Sequence, residues 1–222
     1  MELSTRLKTV AETIKHSTLA DVGCDHGYLP IYLAKQAKIT RALATDISPG
    51  PLSNAAANIK AHGVADIVTA RLCTGLEGIA ANEYECCVIA GMGGTEIIGI
   101  LHGNLYTAKS FKQLILSPQK DVRDVRRFLW DNGFVIVDEV MIIDGGKFYN
   151  IMDCAIGSHP RPTDEEFLFG RHLIERKCPV FVSYLEAEIS KIRRIISFID
   201  DSNPRKAELH KYLETCAKIR DL

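Results

Sequence analysis

Short apolar runs alternate with amphipathic stretches through the first 131 residues of the chain. In the opening stretch, apolar residues recur every three or four positions, which predicts an amphipathic helix near residues 3–14. Five apolar runs then predict strands, and the segments between them predict helices. Repeated alternation of strand and helix predicts a parallel sheet with helical crossovers. The predicted strands are 18–22, 41–45, 67–72, 86–90 and 113–116, and the predicted helices are 29–37, 49–63, 94–105 and 122–131.

Two further apolar runs change this pattern. Residues 134–143 and 148–156 are strand-like, and only Asp144-Gly145-Gly146-Lys147 separates them. Such a short, glycine-rich connection predicts an antiparallel β-hairpin. A parallel sheet that ends in an antiparallel hairpin is not the usual dinucleotide-binding arrangement. We therefore predict an α/β fold whose sheet has seven strands, the last two forming the hairpin.

The rest of the chain is predicted to be helical. The segment 159–162 (His-Pro-Arg-Pro) has the composition of a linker, so we place a domain boundary between residues 1–158 and residues 159–222. Immediately after it, Thr163 and Glu166 have the spacing of a helix capping box.

The helical region has the spacing of a coiled coil. From residue 185 to residue 199, apolar residues recur at alternating steps of four and three. A turn at 200–203 and a second stretch with the same rhythm predict two antiparallel helices packed on each other. Such a hairpin serves either a purely structural role or the binding of a partner.

Composition narrows the class of protein. The chain has 222 residues, 46% of them hydrophobic, which is enough for a packed core. The net charge is -1, so a nucleic-acid partner would need a local basic surface. Seven cysteines without a CxxC pair favour reduced thiols over disulfides or a metal site. With no secretory pattern and no apolar stretch long enough for a bilayer, we expect a cytoplasmic protein.

The segment 20–30 carries the most specific chemical signal. It predicts a buried strand, a glycine-containing loop and a helix, and Asp46 follows at the end of the second strand. Asp25 lies inside the loop, where a fixed negative charge would repel a pyrophosphate. A cationic cofactor would be attracted there instead. The loop therefore favours S-adenosylmethionine (SAM) over NAD.

Candidate cofactor-binding residues lie at four predicted strand ends. The carboxyl ends of parallel strands share one edge of a sheet, where ligands bind in open α/β folds. Each signal has a plain alternative, since glycines also make turns, Asp46 can cap a helix, and His26 can be a surface histidine. The candidates are Asp21, Gly23, Asp25, Gly27, Asp46, Ile47, Thr74, Gly75, Gly91 and Met92.

The chain resembles one family in several motifs. They are Leu3-Ser4-x-Arg6-Leu7, Asp21-Val22-Gly23-x-Asp25-His26-x-Tyr28-Leu29-Pro30, Ile89-Ala90-Gly91-Met92-Gly93-Gly94, Leu114-Ile115-Leu116-x-Pro118 and Asp144-Gly145-Gly146-Lys147-Phe148-Tyr149. In these motifs, and over nearly its whole length, it resembles the TrmK family of bacterial tRNA methyltransferases. The resemblance implies the seven-stranded class I SAM-dependent methyltransferase fold, SAM as cofactor and tRNA methylated at N1 of adenine 22. Thr74 stands where we expect an acidic residue.

This reaction needs no covalent bond between the protein and its substrate. Adenine N1 has an in-plane lone pair that can attack the methyl group directly, so alignment and desolvation are the main requirements. Asp25 is the candidate for stabilising the developing positive charge or for holding the methionine amino group. His26 or Tyr28 would position the base or move a proton. Because N1 lies on the pairing edge, a paired adenine has to flip out or be looped out already, and Tyr149, Tyr28 and Met92 are candidates for lining its slot.

An RNA substrate also requires cations at the rim. We expect Lys120, Arg123, Arg126 and Arg127 to cluster on one helix, and the appendage carries several more. Acidic residues are interspersed, so a solvated helix face is the alternative. The predicted RNA-binding residues are Lys120, Arg123, Tyr149, Arg193 and Arg194, and the appendage cations also include Arg171, Arg176, Lys177 and Lys191.

Three other functions remain open from the sequence. They are a SAM-dependent enzyme with a protein or small-molecule substrate, an NAD-linked oxidoreductase, and a non-catalytic RNA-binding protein on the same scaffold. Asp25 and the terminal hairpin argue against the oxidoreductase. We expect no metal and no membrane partner, and a monomer.

Overall fold

The computed structural model describes residues 2–222, which form two compact units. The first unit ends at Arg161 and the second is Pro162–Leu222. The strands are β1 (Thr18–Val22), β2 (Arg41–Asp46), β3 (Val68–Leu72), β4 (Cys86–Ala90), β5 (Gln113–Ser117), β6 (Phe134–Asp144) and β7 (Lys147–Ile156). The helices of the first unit are α1 (Thr5–Thr13), α2 (Tyr28–Lys35), α3 (Pro49–Ala61), α4 (Gly94–Gly103), α5 (Leu105–Ser110) and α6 (Val122–Asp131).

One seven-stranded sheet organises the first unit. Its strand order is β3-β2-β1-β4-β5-β7-β6. Strands β1 to β5 pair in parallel, β7 pairs antiparallel with β5, and β6 pairs antiparallel with β7. The sequence-based prediction of seven strands with a terminal antiparallel hairpin is confirmed.

Both faces of the sheet are covered by helices. On β1, Leu19 packs into a core with α1, α2 and α3, whereas its neighbour Ala20 packs into a second core with α4 and α6. The same alternation places Val88 and Ile89 of β4 in different cores. Because these strands are buried on both sides, their sequences are continuously apolar rather than alternating.

Some predicted helices differ from the observed ones. The helix predicted at 94–105 is α4, which ends at Gly103 because the backbone of Asn104 leaves the helical region (φ −138°, ψ 51°), and the short helix α5 that follows was not predicted. Helix α2 ends at Lys35 rather than at residue 37, since Ala37 has a left-handed backbone (φ 52°) that ends the turn.

Buried polar residues tie β6 and β7 to the rest of the unit. Arg126 on α6 donates to both carboxylate oxygens of Glu139 on β6, at 3.2 and 2.7 Å, and Asn150 on β7 donates to the same carboxylate at 2.7 Å. Arg126 and Glu139 are almost fully buried. The prediction that Arg126 belongs to an exposed basic cluster is therefore wrong, because its charge is neutralised inside the fold.

The second unit contains four helices, where the sequence predicted two. They are α7 (Asp164–Phe169), α8 (Arg171–Arg176), α9 (Pro179–Ile196) and α10 (Arg205–Asp221). The predicted capping box is present at the start of α7, where Thr163 and Glu166 exchange hydrogen bonds. Helices α9 and α10 pack on each other, and Tyr212 of α10 donates to Glu188 of α9 at 3.3 Å. The seam is shorter than predicted, since α9 ends at Ile196.

Candidate active site

The loop after β1 approaches β2 and β4 closely. The backbone N–H groups of Gly23 and Cys24 both donate to the carbonyl oxygen of Thr45, each at 2.8 Å. Gly23 has a positive φ of 75°, and a Cβ atom there would collide with the terminal methyl group of Met92. The positive φ therefore favours glycine, whereas the Met92 methyl group stands at the end of a flexible side chain and can move aside. The predicted loop residues Gly23 and Met92 are brought into contact.

Asp46 holds this loop from the neighbouring strand. One carboxylate oxygen accepts from the backbone N–H of Asp25 at 3.4 Å, and the other accepts from the backbone N–H of Ser48 at 2.8 Å. Asp46 does not cap α3, because the N-cap residue of that helix is Ser48 and no side chain caps it. The carboxylate orders the start of α3 and also lies at the carboxyl edge of the sheet.

Asp25, His26 and Tyr28 form an exposed lip beside the loop. The Asp25 carboxylate is 69% exposed and lies 3.6 Å from Nε2 of His26. The His26 and Tyr28 rings stack with centroids 5.3 Å apart, and Asn58 fixes the loop by donating to the His26 carbonyl oxygen at 3.0 Å. Gly27, with φ 69°, starts α2 behind them. The three predicted catalytic residues are therefore adjacent and accessible.

A cavity of about 360 Å³ opens beside the loop, between the ends of β1 and β3 and helix α4. Sequence reasoning predicted part of its lining but missed the α4 residues and the segment after Gly75, because nothing in their local pattern distinguishes them from core residues. The predicted lining residues are Gly23, Ile47, Thr74, Gly75 and Met92, and those missed include Cys73, Leu76, Glu77, Gly99 and Ile100. Glu77 supplies an acidic side chain near the position where Thr74 replaces the expected one.

The glycines after β4 are packed against the segment that precedes α6. The N–H of Gly91 donates to the carbonyl oxygen of Ser117 at 3.2 Å. A Cβ atom at Gly94 would lie 2.7 Å from the carbonyl oxygen of Lys120. Lys120 therefore lies in the segment before α6 and not on that helix, where we predicted it. Arg123 is exposed on α6 as predicted.

A second charged group lies under α1, at the same edge of the sheet. Asp21 at the end of β1 is only 6% exposed. Burial raises its pKa to about 7, with a smaller contribution from Asp46, although the nearby Arg6 guanidinium opposes the shift. The Arg6 guanidinium lies over the ring of Tyr149, 5.5 Å from its centroid. The sequence indicated Arg6 only as part of a motif. Its position depends on contacts with Asp144 and Tyr149, which are far from it along the chain.

We expect this carboxyl group to make stability depend on pH. In the unfolded chain an aspartate ionises near pH 4, so folding binds a proton between about pH 4 and 7. The free energy of unfolding should therefore fall as the pH rises through this window and then level off. Asp21→Asn should remove that decline. Denaturant titrations followed by fluorescence of the single Trp130 measure it, with the exposed Asp66→Asn as control. An unchanged pH slope in Asp21→Asn contradicts the assignment.

The other predicted RNA-binding residues lie in separate places. Tyr149 is near the start of β7, at the edge where β1, β4 and β5 end. Arg193 and Arg194 are exposed on α9 of the second unit.

Within residues 2–222, no group of three or more His, Cys, Asp or Glu side chains has the arrangement of a metal site. No helix there is long and apolar enough to cross a membrane. The seven cysteines are free thiols, and burial raises the pKa of the Cys87 thiol, which disfavours its thiolate.

Comparison with known proteins identifies relatives over the full length of the chain. The methyltransferase domain family matches residues 3–152. The chain is 29% identical to the tRNA (adenine(22)-N(1))-methyltransferase of Bacillus subtilis (strain 168), an alignment that covers 100% of this chain and 97% of that protein.

Solved structures of tRNA methyltransferases are also similar to this chain over nearly its whole length. The crystal structure of the B. subtilis m1A22 tRNA methyltransferase TrmK has a TM-score of 0.89 and 30% identity, covering 99% of both chains. Streptococcus pneumoniae Sp1610, solved in complex with S-adenosyl-L-methionine, has a TM-score of 0.91 and 31% identity, covering 99% of this chain and 100% of the other.

Proposed function

Because this chain belongs to the TrmK family of methyltransferases, we propose that it transfers a methyl group from SAM to N1 of adenine 22 in tRNA. The observation that carries the proposal is similarity to the B. subtilis enzyme over the whole chain, including the second unit. The tRNA substrate implies that the protein works in the cytoplasm.

The residues at the carboxyl edge fit SAM. The cavity of about 360 Å³ falls in the range of small-molecule sites and is lined mainly by apolar side chains and glycine backbone, as an adenosine moiety requires. Asp46 would accept hydrogen bonds from ribose hydroxyls. Asp25, exposed at the lip, would attract the methionine ammonium group. The backbone of Gly23 would pass close to the cofactor because it carries no side chain.

When bound, SAM supplies an electrophilic methyl group whose bonding electron pair stays on sulfur when adenine N1 attacks. N1 carries no proton before the attack, so His26 need not act as a base. The residues of this chain have to hold the base in line and exclude water. The methylated base is cationic, and the exposed carboxylate of Asp25 would stabilise that charge. The stacked rings of His26 and Tyr28 offer a flat surface at the lip.

Mapping the methylated nucleotide tests the proposal. An unmodified tRNA transcript with adenine 22 is incubated with SAM and the full chain. One methyl group per tRNA is expected, at position 22, where it stops reverse transcription because it blocks the pairing edge. A transcript with guanine at position 22 is the control and should remain unmodified. Absence of transfer to tRNA, or transfer to a different nucleotide, contradicts the proposal. SAM binding without transfer to tRNA would favour a protein or small-molecule substrate.

The second unit is proposed to contact the tRNA backbone. Arg193 and Arg194 are exposed on α9, and phosphate contacts dominate sequence-independent affinity for nucleic acids. Replacing both with Glu should weaken tRNA binding and reduce the slope of log affinity against log salt by about 2. Filter binding at several salt concentrations measures both effects. The matched control replaces Lys35 and Lys60 with Glu. Both are exposed near the C-terminal ends of their helices, α2 and α3. If both variants lose the same amount of tRNA affinity, Arg193 and Arg194 are not part of the RNA-binding surface.

A further inference from the structure

Two residues that neighbour Gly91 each have a buried polar atom without a partner. Among residues 2–222, the buried side-chain nitrogen and oxygen atoms without a hydrogen-bond partner are Nη1 of Arg6 and Oγ of Ser117. A Cβ atom at Gly91 would lie 3.1 Å from Nη1 of Arg6, and the Gly91 N–H donates to the carbonyl oxygen of Ser117. Leaving such atoms unpaired is costly, and both belong to residues that neighbour Gly91, so one group bound beside Gly91 would be stabilised by pairing with both.

Both atoms lie on the α1 face of the sheet, at its carboxyl edge. Ser117 is the register partner of Ala90, and Ala90 packs into the core under α1 and α2. Asp21 pairs with Val88, which lies in that same core. Tyr149 is two residues from Ile151, also in that core, and so shares its face. The backbone of Arg6 is anchored at this edge, because its N–H donates to the carboxylate of Asp144 at 3.2 Å.

This cluster is separate from the cavity proposed for the adenosine part of SAM. Arg6, Ser117 and Tyr149 are absent from the lining of that cavity, which is built from the ends of β1 and β3 and from α4. Met92 lines the cavity and follows Gly91, so the two places flank the β4 loop. A methyl donor and its acceptor have to meet at such a boundary.

The charges favour an uncharged ligand over the methionine carboxylate. Asp21 lies on the same face of the sheet as this cluster, so a second carboxylate bound here would be held next to an acidic group. A neutral heteroaromatic ring meets no such repulsion and can use the Tyr149 ring as well.

We propose, on the basis of the proposed function, that Arg6 and Ser117 bind the acceptor adenine through its Hoogsteen edge. N1 has to face the methyl group, so the pairing edge is not available for recognition. The Hoogsteen edge presents N7, an acceptor, next to the N6 amino group, a donor. Nη1 of Arg6 donates to N7, and Oγ of Ser117 accepts from N6. The base then lies beside Tyr149 with N1 directed towards the β4 loop.

A double-mutant cycle between protein and RNA tests this pairing. The tRNA carries either adenine or 7-deazaadenine at position 22, since the deaza base lacks only the N7 acceptor. The enzymes are the wild type and Arg6→Lys, which retains the charge but loses the Nη1 donor. Each single change should reduce the single-turnover rate at saturating SAM by about 10- to 100-fold, the effect of a hydrogen bond to a charged group. The two changes together should cost no more than one of them.

Controls separate this role from a structural one. Arg41→Lys alters an arginine that also lies over an aromatic ring, Tyr84, but at the amino end of β2, and it should leave the rate unchanged. Ser117→Ala should slow transfer to adenine while SAM affinity by calorimetry stays within about twofold of wild type, as it should also in Arg6→Lys. Additive effects of Arg6→Lys and 7-deazaadenine overturn the proposal, as does loss of SAM affinity in Arg6→Lys. If the wild type fails to methylate adenine 22 at all, the proposed function fails first.

Discussion

Replacing Asp25 with Asn is expected to lower kcat/KM for SAM by about 10- to 100-fold, because one hydrogen bond to a charged group contributes about 1.5–3 kcal/mol. The carboxylate is 69% exposed, so its loss should not unfold the protein. Asn keeps the side-chain shape and tolerates the left-handed backbone at this position (φ 52°). Asp25→Ala should lose at least as much activity, with an added backbone cost.

Steady-state kinetics with tRNA in excess, together with calorimetric SAM titration, measure the effect. Asp66→Asn removes a solvent-exposed carboxylate in the turn before β3, far along the chain from this loop, and should behave like the wild type. Near-normal turnover in Asp25→Asn would exclude Asp25 from the reaction, and the argument for a cationic cofactor from the charge of this loop would fall with it.

Glu139→Ala is expected to give the largest loss of stability. The side chain is fully buried and accepts hydrogen bonds from Arg126 and Asn150. Removing it leaves a buried guanidinium without its counter-charge, which costs about 3–5 kcal/mol. For a unit of this size, the unfolding midpoint should fall by roughly 10 °C. The single Trp130 lies on the same helix as Arg126, so its fluorescence reports on the unit that is affected.

Two variants serve as controls for this effect. The double variant Arg126→Met with Glu139→Leu removes both charges and should recover much of the lost stability, because no unpaired charge remains in the core. Lys112→Ala breaks the exposed pair of Lys112 with Glu85 in the same unit and should leave the unfolding midpoint nearly unchanged. If Glu139→Ala is as stable as Lys112→Ala, the buried pair does not stabilise the fold as described.

The sheet was predictable because its signals are local. A strand buried on both faces is a continuous apolar run, and the predicted bounds of β1, β4 and α6 agree with the observed ones. The hairpin turn at Asp144-Gly145-Gly146-Lys147 is encoded by its own glycines. Errors arose where one backbone residue decides the outcome. Asn104 ends α4 through its own non-helical backbone, and the six-residue helix α5 after it is too short for a periodic apolar pattern to predict.

Some candidate site residues could likewise be predicted from the sequence, and others could not. Those that follow strands, such as Gly23, Asp46, Thr74 and Met92, could be nominated because parallel strands bring their carboxyl ends to one edge. Their roles in binding and catalysis stay predictions until the variants are measured. The residues that line the cavity from α4, among them Ile100, carried no signal, because apolar side chains on a helix read as core.

The sequence by itself determined the order of strands and helices, the glycine loop with its acidic residues, and the resemblance that points to methyl transfer. Only the tertiary structure decided which charges are buried and what they face. Arg6 contacts Tyr149 and Asp144 more than 130 residues away, and Arg126 turns inward to Glu139 although its neighbours Arg123 and Arg127 are exposed. The reason is physical, since the pattern along a chain records which face of an element is apolar, whereas the partner of a polar group is set by elements that meet only in the folded protein.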